Sequence, residues 1–385
     1  MATASVLNRV AALGTQRWAV HFMGRQRALK DPDFIELTIG EPDLPMATDL
    51  IGIAEQAMRS GRTRYSVGKG EPALLEALAR KYSARTGRDI SPAHFLAFPG
   101  TQAALAIVMQ GLVEAGDAVL VPDPNYATYE GVVRMTGADF VPVPMDAANG
   151  FRLTADQLRD AMVPNAKVLL LNNPHNPTGA VLSREAVSEI GSVCREHGLW
   201  IISDEVYETL IYGHLFASPF DEAALADHTI TVSSISKSHA APGFRSGWAA
   251  GPPWVMDRIQ PLSEALLFGN QPFIADMTVH ALDHPGTVGA QMAAAYQKRI
   301  TTLMKAFERS VLKPLKPQAG MFMLVDVSAT GLDGEAFARR LLENGVSVMP
   351  GTSFGTQAAS FVRLSLTVPE DRLLEAAQRM VAMAS

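Results

Sequence analysis

Lys237 is one of only nine lysines in the chain and stands in a run of small hydroxyl residues, Ser233-Ser-Ile-Ser-Lys-Ser238, that follows an apolar strand pattern. Burial disfavours an ammonium ion, so a lysine in such a place tends towards the neutral amine that condenses with a carbonyl to give a Schiff base. Read alone, Lys237 fits an exposed loop lysine equally well. Eight residues on, Pro242-Gly-Phe-Arg245 brings a guanidinium within reach of the same loop. Ser234, Ser236 and Arg245 would together offer hydroxyl donors and a forked cation to a phosphate dianion, although an arginine by itself can simply pair with a surface carboxylate. In Ile202-Ser-Asp-Glu-Val-Tyr207, Asp204 closes an apolar run and is either a loop cap or the partner of a cationic ring nitrogen. Tyr207 would lie beside it if the chain turned into a helix there, with its phenol free for an oxyanion.

Two further turns belong to the same set. Asn172-Asn-Pro-His-Asn-Pro-Thr-Gly179 contains two Asn-Pro pairs, and a residue before proline is driven to extended conformations. A turn without a ligand accounts for one such pair; two in succession suggest that Asn176 presents its amide to the oxyanion that Tyr207 serves. Pro99-Gly-Thr-Gln-Ala103 places Gly100, Thr101 and Gln102 where a helix opens, and free backbone N–H groups there suit a phosphate. Asp123-Pro-Asn-Tyr126 adds an aromatic ring that can stack on a flat heterocycle.

Each of these segments ends a short apolar run. Phe95–Phe98, Ala118–Val121, Val168–Leu171, Leu199–Ile202 and Thr229–Val232 read as strands. The stretches Thr101–Val113, Tyr126–Met135 and Ser183–His197 between them read as helices. Continuous apolar strands alternating with helices predict an α/β fold with a mostly parallel sheet covered on both faces. Right-handed crossovers then gather the strand C-termini at one edge, where ligands bind. Downstream, a long helix over Val288–Leu312, strands at Met321–Val325, Val346–Val348 and Phe361–Leu364, and a closing helix Pro369–Ala384 predict a smaller α+β domain. The expected division is a large domain over 46–286 and a small one from 1–45 and 287–385.

The convergent groups specify their ligand. It has a carbonyl for Lys237, a ring nitrogen for Asp204, a phenolic oxygen for Asn176 and Tyr207, and a phosphate for Gly100–Gln102, Ser234, Ser236 and Arg245. Pyridoxal 5′-phosphate meets all four requirements.

Ile39-Gly-Glu-Pro-Asp43, Tyr65 with Gly68 and Gly70, Asn173–Gly179, Asp204-Glu-Val-Tyr207, Ser234-Ile-Ser-Lys237 with Arg245, and Arg363 occur in that order. The set resembles the class I/II, fold-type I aminotransferases and covers nearly the whole chain. The resemblance implies that Lys237 holds the cofactor and shuttles a proton, Asp204 keeps the pyridine nitrogen protonated, and Asn176 and Tyr207 hold its phenolic oxygen. It implies further that Tyr126 stacks on the ring, and that Arg363 grips the substrate α-carboxylate beside Gly40 and Asn176. Tyr65 would reach the phosphate of a neighbouring subunit, which implies a homodimer with shared sites. The implied reaction is ping-pong transfer of an amino group from an L-amino acid to pyruvate or 2-oxoglutarate. A pyridoxal-phosphate lyase, such as a carbon–sulfur β-lyase, would use the same residues. Trp18 with His21, Ser236–Ala240, Gly320–Asp326 and Gly345–Val348 are similar to arginine–pyruvate transaminases, and Thr101 stands where aspartate-type enzymes place a lysine. Both details point to arginine or another non-acidic donor. No acidic residue is identifiable as the partner of a basic side chain, and His21 fits a core histidine as well as a substrate contact.

Composition narrows the classes. The 385 residues carry 33 Lys and Arg against 39 Asp and Glu, a formal charge of −6, which argues against a nucleic-acid partner. A transcription regulator on this fold would need an added DNA-binding domain, and only 38 residues precede Ile39. The single cysteine, Cys194, permits no internal disulfide and reads as a buried small hydrophobe, and no metal cluster is expected. There is no apolar run of membrane-spanning length, and Arg9 interrupts Met1–Ala12 before a leader could form, so the expected compartment is the cytoplasm.

Overall fold

The computed structural model describes residues 5–384; residues 1–4, part of the stretch read for a leader, and residue 385 lie outside them. In chain order the strands are β1 Ile35–Leu37, β2 Phe95–Phe98, β3 Ala118–Asp123, β4 Asp139–Pro144, β5 Ala166–Asn172 and β6 Trp200–Asp204. They continue as β7 Thr229–Ser234, β8 Gly247–Ala250, β9 Lys313–Pro314, β10 Phe322–Asp326, β11 Val346–Pro350 and β12 Phe361–Ser365. Seven form one sheet in the order β2-β8-β7-β6-β5-β3-β4, parallel except for β8, which is antiparallel to both neighbours. The other five form a second sheet, β1-β11-β12-β10-β9, in which only β1 and β11 run parallel.

The apolar runs explain the buried position of the central strands. Leu170 of β5 and Ile202 of β6 pack into the core on one face, while Leu169, Leu171 and Ile201 pack into the core on the other. Alternating side chains of a strand point to opposite faces, so a sheet covered on both sides needs an unbroken apolar run. Ser183 caps the intervening helix Arg184–Glu196 by accepting from the Ala186 N–H. Cys194 is buried in this layer, and burial pushes its thiol up to about 12, so it is an inert core residue.

Some predicted boundaries move. The helix predicted from Tyr126 begins at Tyr129, because Tyr126–Thr128 form a turn, and the helix predicted to Leu312 ends at Phe307. Beyond it, Ser310 Oγ donates to the Phe307 carbonyl and accepts from the Leu312 N–H, turning the chain into β9. Tyr207 lies on a hydrogen-bonded turn rather than a helix, the Leu210 N–H donating to its carbonyl. No helix among the described residues is long and apolar enough to cross a membrane.

The register aligns three strand ends at one edge of the large sheet. Asn172 of β5 pairs with Asp204 of β6, Asp204 pairs with Val232 of β7, and Ser234 ends β7 two residues later. The second sheet stands across this edge. Asp123, at the end of β3, accepts from the Thr356 N–H at 3.1 Å and the Thr356 hydroxyl at 2.8 Å, in the segment leading into β12.

Candidate active site

A cavity of about 220 Å³ lies between the C-terminal edge of the large sheet and the small sheet. From the large-sheet side it is lined by Thr101, Gln102, Tyr126, Asn176, Asp204, Tyr207, Ser234, Ser236, Lys237 and Arg245. Gly40, Arg363 and Trp18 line it from the other side. The structure thus brings together the residues singled out by type and spacing, with two exceptions. Gly100 stands behind the wall against Arg245, and Tyr65 is 81% exposed and outside this cavity.

The lysine turn is short and tightly held. Ser234 closes β7 and caps the turn Ile235–Ser238 by accepting from the Ser236 N–H at 3.3 Å. Lys237 Nζ donates to the Gly40 carbonyl at 2.5 Å and makes no ion pair among the described residues. Burial lowers its pKa to about 8, with Glu41 acting in the opposite sense and Arg363 and Arg245 reinforcing it. Glycine is required at position 40, because an added Cβ would run into the Phe322 ring.

Asp204 is buried at the mouth of β6. Its Oδ2 accepts from the Tyr129 hydroxyl at 2.8 Å and its Oδ1 from the Val206 N–H at 3.2 Å, with no cation in contact among the described residues. Burial pushes this carboxyl up to about 6, against the pull of those two donors. The asparagine turn is braced from behind: Asn172 Nδ2 and the Asn173 N–H both donate to the Asp204 carbonyl, at 2.9 and 3.1 Å. Asn172 Oδ1 accepts the Asn176 N–H at 2.7 Å, which aims the Asn176 side chain into the cavity. Tyr207 lines the same cavity as that side chain, and burial raises its phenol well above the ordinary range, with Asn176 acting in the opposite sense.

Arg363, on β12, is 2% exposed. It donates from Nη1 to Asn176 Oδ1 at 3.1 Å and from Nη2 to the Thr38 carbonyl at 2.6 Å. Its guanidinium lies 3.8 Å from the centre of the Phe322 ring and 4.5 Å from that of Phe354, while its Nε has no partner. Burial lowers its pKa to about 10. A buried cation held only by neutral oxygens and ring faces is costly unless an anion joins it.

The helix Thr101–Leu112 opens onto the cavity beside Arg245. Gly100 has φ +90°, and an added Cβ would collide with the Arg245 guanidinium. From the other side, a Cβ on Gly247 would approach the Gly100 carbonyl carbon to 2.7 Å. The Thr101 hydroxyl is buried without a hydrogen-bond partner. An orphaned hydroxyl at a helix N-terminus, with a guanidinium and two serines around it, is a cradle for a phosphate. Together with the lysine, the cation-free carboxylate and the aromatic ring of Tyr126, it fits pyridoxal phosphate.

Tyr129, Thr38 and Phe322 escaped the sequence reading. Tyr129 had a signal, its spacing of three from Tyr126, but a continuous helix from Tyr126 places both rings on one face without directing either to Asp204. Thr38 acts through its carbonyl, which side-chain type does not reveal.

The family model described as aminotransferase class I and II matches residues 32–380. Over 379 residues the chain is 36% identical to an arginine–pyruvate transaminase of Pseudomonas aeruginosa, covering 98% of this chain and 96% of that protein. It is 33% identical to an aspartate/prephenate aminotransferase of Thermus thermophilus, over 90% of each. The solved aspartate aminotransferase from Thermus thermophilus with maleate superposes with a TM-score of 0.93 at 31% identity, covering 99% of this chain and 100% of that one.

Proposed function

The chain belongs to the class I and II aminotransferases and is a pyridoxal-phosphate-dependent enzyme of amino-group transfer, and from that premise we propose how its own residues divide the work. When bound, pyridoxal phosphate supplies an aldehyde that condenses with amines and a ring that takes up the electron pair left at Cα. Lys237 is the amine for that aldehyde; once freed, it carries a proton to and from the substrate Cα. Its lowered pKa keeps roughly a tenth of it neutral at pH 7. Asp204 holds the proton on the ring nitrogen, since a buried carboxylate without a cation gains most from a cationic partner. Asn176 and Tyr207 donate to the phenolic oxygen, and Tyr126 stacks on the ring. Gly100, Thr101, Gln102, Ser234, Ser236 and Arg245 receive the phosphate. Arg363 takes the α-carboxylate of donor and acceptor alike.

The observation that carries this assignment is a set of charged groups on one cavity that find no counter-charge in contact among the described residues: Asp204 without a cation, and Lys237 and Arg363 without an anion. An L-amino acid on this cofactor supplies the missing partner of each. The lyase alternative is not favoured, because the relatives named above are aminotransferases. Incubation with one amino acid and no oxo acid tests the point: the cofactor should stop in its amine form after a single turnover. Continuous release of pyruvate and ammonia would show a lyase instead.

Arginine or another non-acidic amino acid is our choice of donor, with pyruvate or 2-oxoglutarate as acceptor. It is supported by the relative named as an arginine–pyruvate transaminase and by Thr101 in place of a lysine. A panel of twenty donors against both acceptors tests it; arginine no better than alanine or aspartate would overturn that choice and leave the transaminase chemistry intact. We also propose a cytoplasmic homodimer in which Tyr65 serves the neighbouring site. Its exposed ring stacks edge-on with that of Phe268, 67% exposed, and Val67 is 62% exposed, an apolar patch suited to a second copy. A solution mass of one chain by light scattering would refute the dimer.

A further inference from the structure

The cation assigned to the substrate carboxylate is itself steered from outside the cavity. Thr38, whose carbonyl accepts Arg363 Nη2 at 2.6 Å, is held at each of its other polar groups. Its N–H donates to Glu36 Oε1 at 2.9 Å, and its hydroxyl makes a close hydrogen bond to the same oxygen. His21 Nδ1 meets that hydroxyl from the helix Ala19–Ala28 at 2.7 Å. Glu36 and His21 are both largely buried, with side chains 17% and 12% exposed. Neither lines the cavity, whereas Thr38 does.

We infer that Glu36, with His21, is a positioning residue for substrate recognition: it fixes the Thr38 carbonyl that orients the Arg363 guanidinium. The inference rests on the assignment of Arg363 to the α-carboxylate. The Thr38 N–H and carbonyl lie in successive peptide units joined at one Cα; holding the N–H and the side chain on one carboxylate oxygen fixes that Cα and its Cβ, and so places the point from which the carbonyl reaches Arg363. Among the described residues Arg363 makes no ion pair; apart from ring faces, its orientation depends on that carbonyl and on Asn176 Oδ1. A forked cation binds a carboxylate well only when its plane is already aligned. The carboxylate of Glu36 also acts on Arg363 at a distance, favouring its charged form.

Because every substrate of the enzyme carries the same α-carboxylate, loosening this relay should weaken all of them by one factor. The test is steady-state kinetics of the holoenzyme with L-alanine and L-arginine as donors and 2-oxoglutarate as acceptor. Glu36→Ala should raise KM roughly tenfold for all three with kcat changed less than about twofold, and leave the cofactor absorbance unaltered. Glu36→Gln, which keeps an acceptor for Thr38, should recover most of the loss. Thr38→Val removes the hydroxyl alone and should raise KM by a smaller factor, giving a second reading should the alanine variant fold poorly. Unchanged KM values in Glu36→Ala, or in Thr38→Val if the alanine variant does not fold, would overturn the inference. So would a loss confined to arginine, which would make Glu36 a contact of the donor side chain. Arg363→Lys, measured alongside, separates the two levels: a normal KM in that variant removes the carboxylate assignment itself.

Discussion

Asp204 and Glu205 are adjacent in sequence and both buried, yet they belong to opposite kinds of environment. Glu205 turns away from the cavity into a charged cluster. Arg85 Nη1 donates to Glu205 at 3.1 Å and to Glu208 at 2.9 Å, and Arg85 Nε donates to Asp221 at 2.9 Å. Ser218 donates to the remaining oxygen of Glu205 at 2.5 Å, and Lys81 pairs with Glu208. The Arg85 guanidinium also lies 4.4 Å from the Tyr82 ring centre. There, each carboxylate has a cation within the protein. Asp204 has only a phenol and an amide N–H. Burial is common to both; what separates a structural cluster from a reactive site is whether the fold supplies the counter-charge or leaves it to a ligand.

Substitutions can break that comparison. Lys237→Ala should abolish turnover and the visible absorbance of covalently held cofactor, read by spectrophotometry of the purified enzyme; normal turnover would sink the assignment. Asp204→Ala should retain cofactor while losing on the order of a thousandfold in kcat, measured by single-turnover kinetics. Arg363→Lys should cost about a hundredfold in kcat/KM, mostly through KM, because an ammonium cannot reproduce a planar fork. Arg85→Met should do the reverse. Fully buried Glu205 is left without its cation, while Glu208 keeps Lys81 and Asp221 keeps the more distant Arg88, so stability should fall by about 3–5 kcal/mol in urea unfolding, while the rate per folded molecule stays within about threefold. A large rate loss in a fully folded Arg85→Met enzyme would erase the distinction between the two regions.

The smallest effect concerns pH. The neutral amine is the reactive form of Lys237, and its pKa is lowered to about 8. Uptake of pyridoxal phosphate by cofactor-free protein should therefore speed up about tenfold per pH unit from 6 to 7 and level off above 8. Stopped-flow absorbance checks the profile; a rate still climbing tenfold per unit at pH 10 would mean an ordinary, solvated lysine.

The central strands were legible because their burial on both faces demands an uninterrupted apolar run, as in Val168–Leu171. Two strands of the same sheet were not. β8, Gly-Trp-Ala-Ala, has little β-branched character and takes its place by antiparallel pairing with β2 and β7. β4 lies at the edge, carries Pro142 and Pro144, and is largely open to solvent, so it lacks the apolar signature. At the site, side chains that reach the cavity from strand ends could be named from type and position. Tyr129 could not, because its role depends on the helix starting three residues later than its periodicity suggests. Thr38 and Glu36 were hidden for another reason: their contribution passes through a peptide carbonyl, which every residue has. Tyr65 shows the limit of a single chain, since its exposed ring acquires a place only if a second copy covers it.

Of the four tryptophans, Trp18 alone lines the cavity. Trp248 is sealed in the core, its indole N–H donating to the Tyr82 hydroxyl, and Trp200 and Trp254 pack against each other at a tilt elsewhere. With those three changed to phenylalanine, the protein would carry a single tryptophan on the wall of its cavity, and that emission, excited selectively over the tyrosines, would report vitamer and substrate arriving and leaving in real time, with no dye attached.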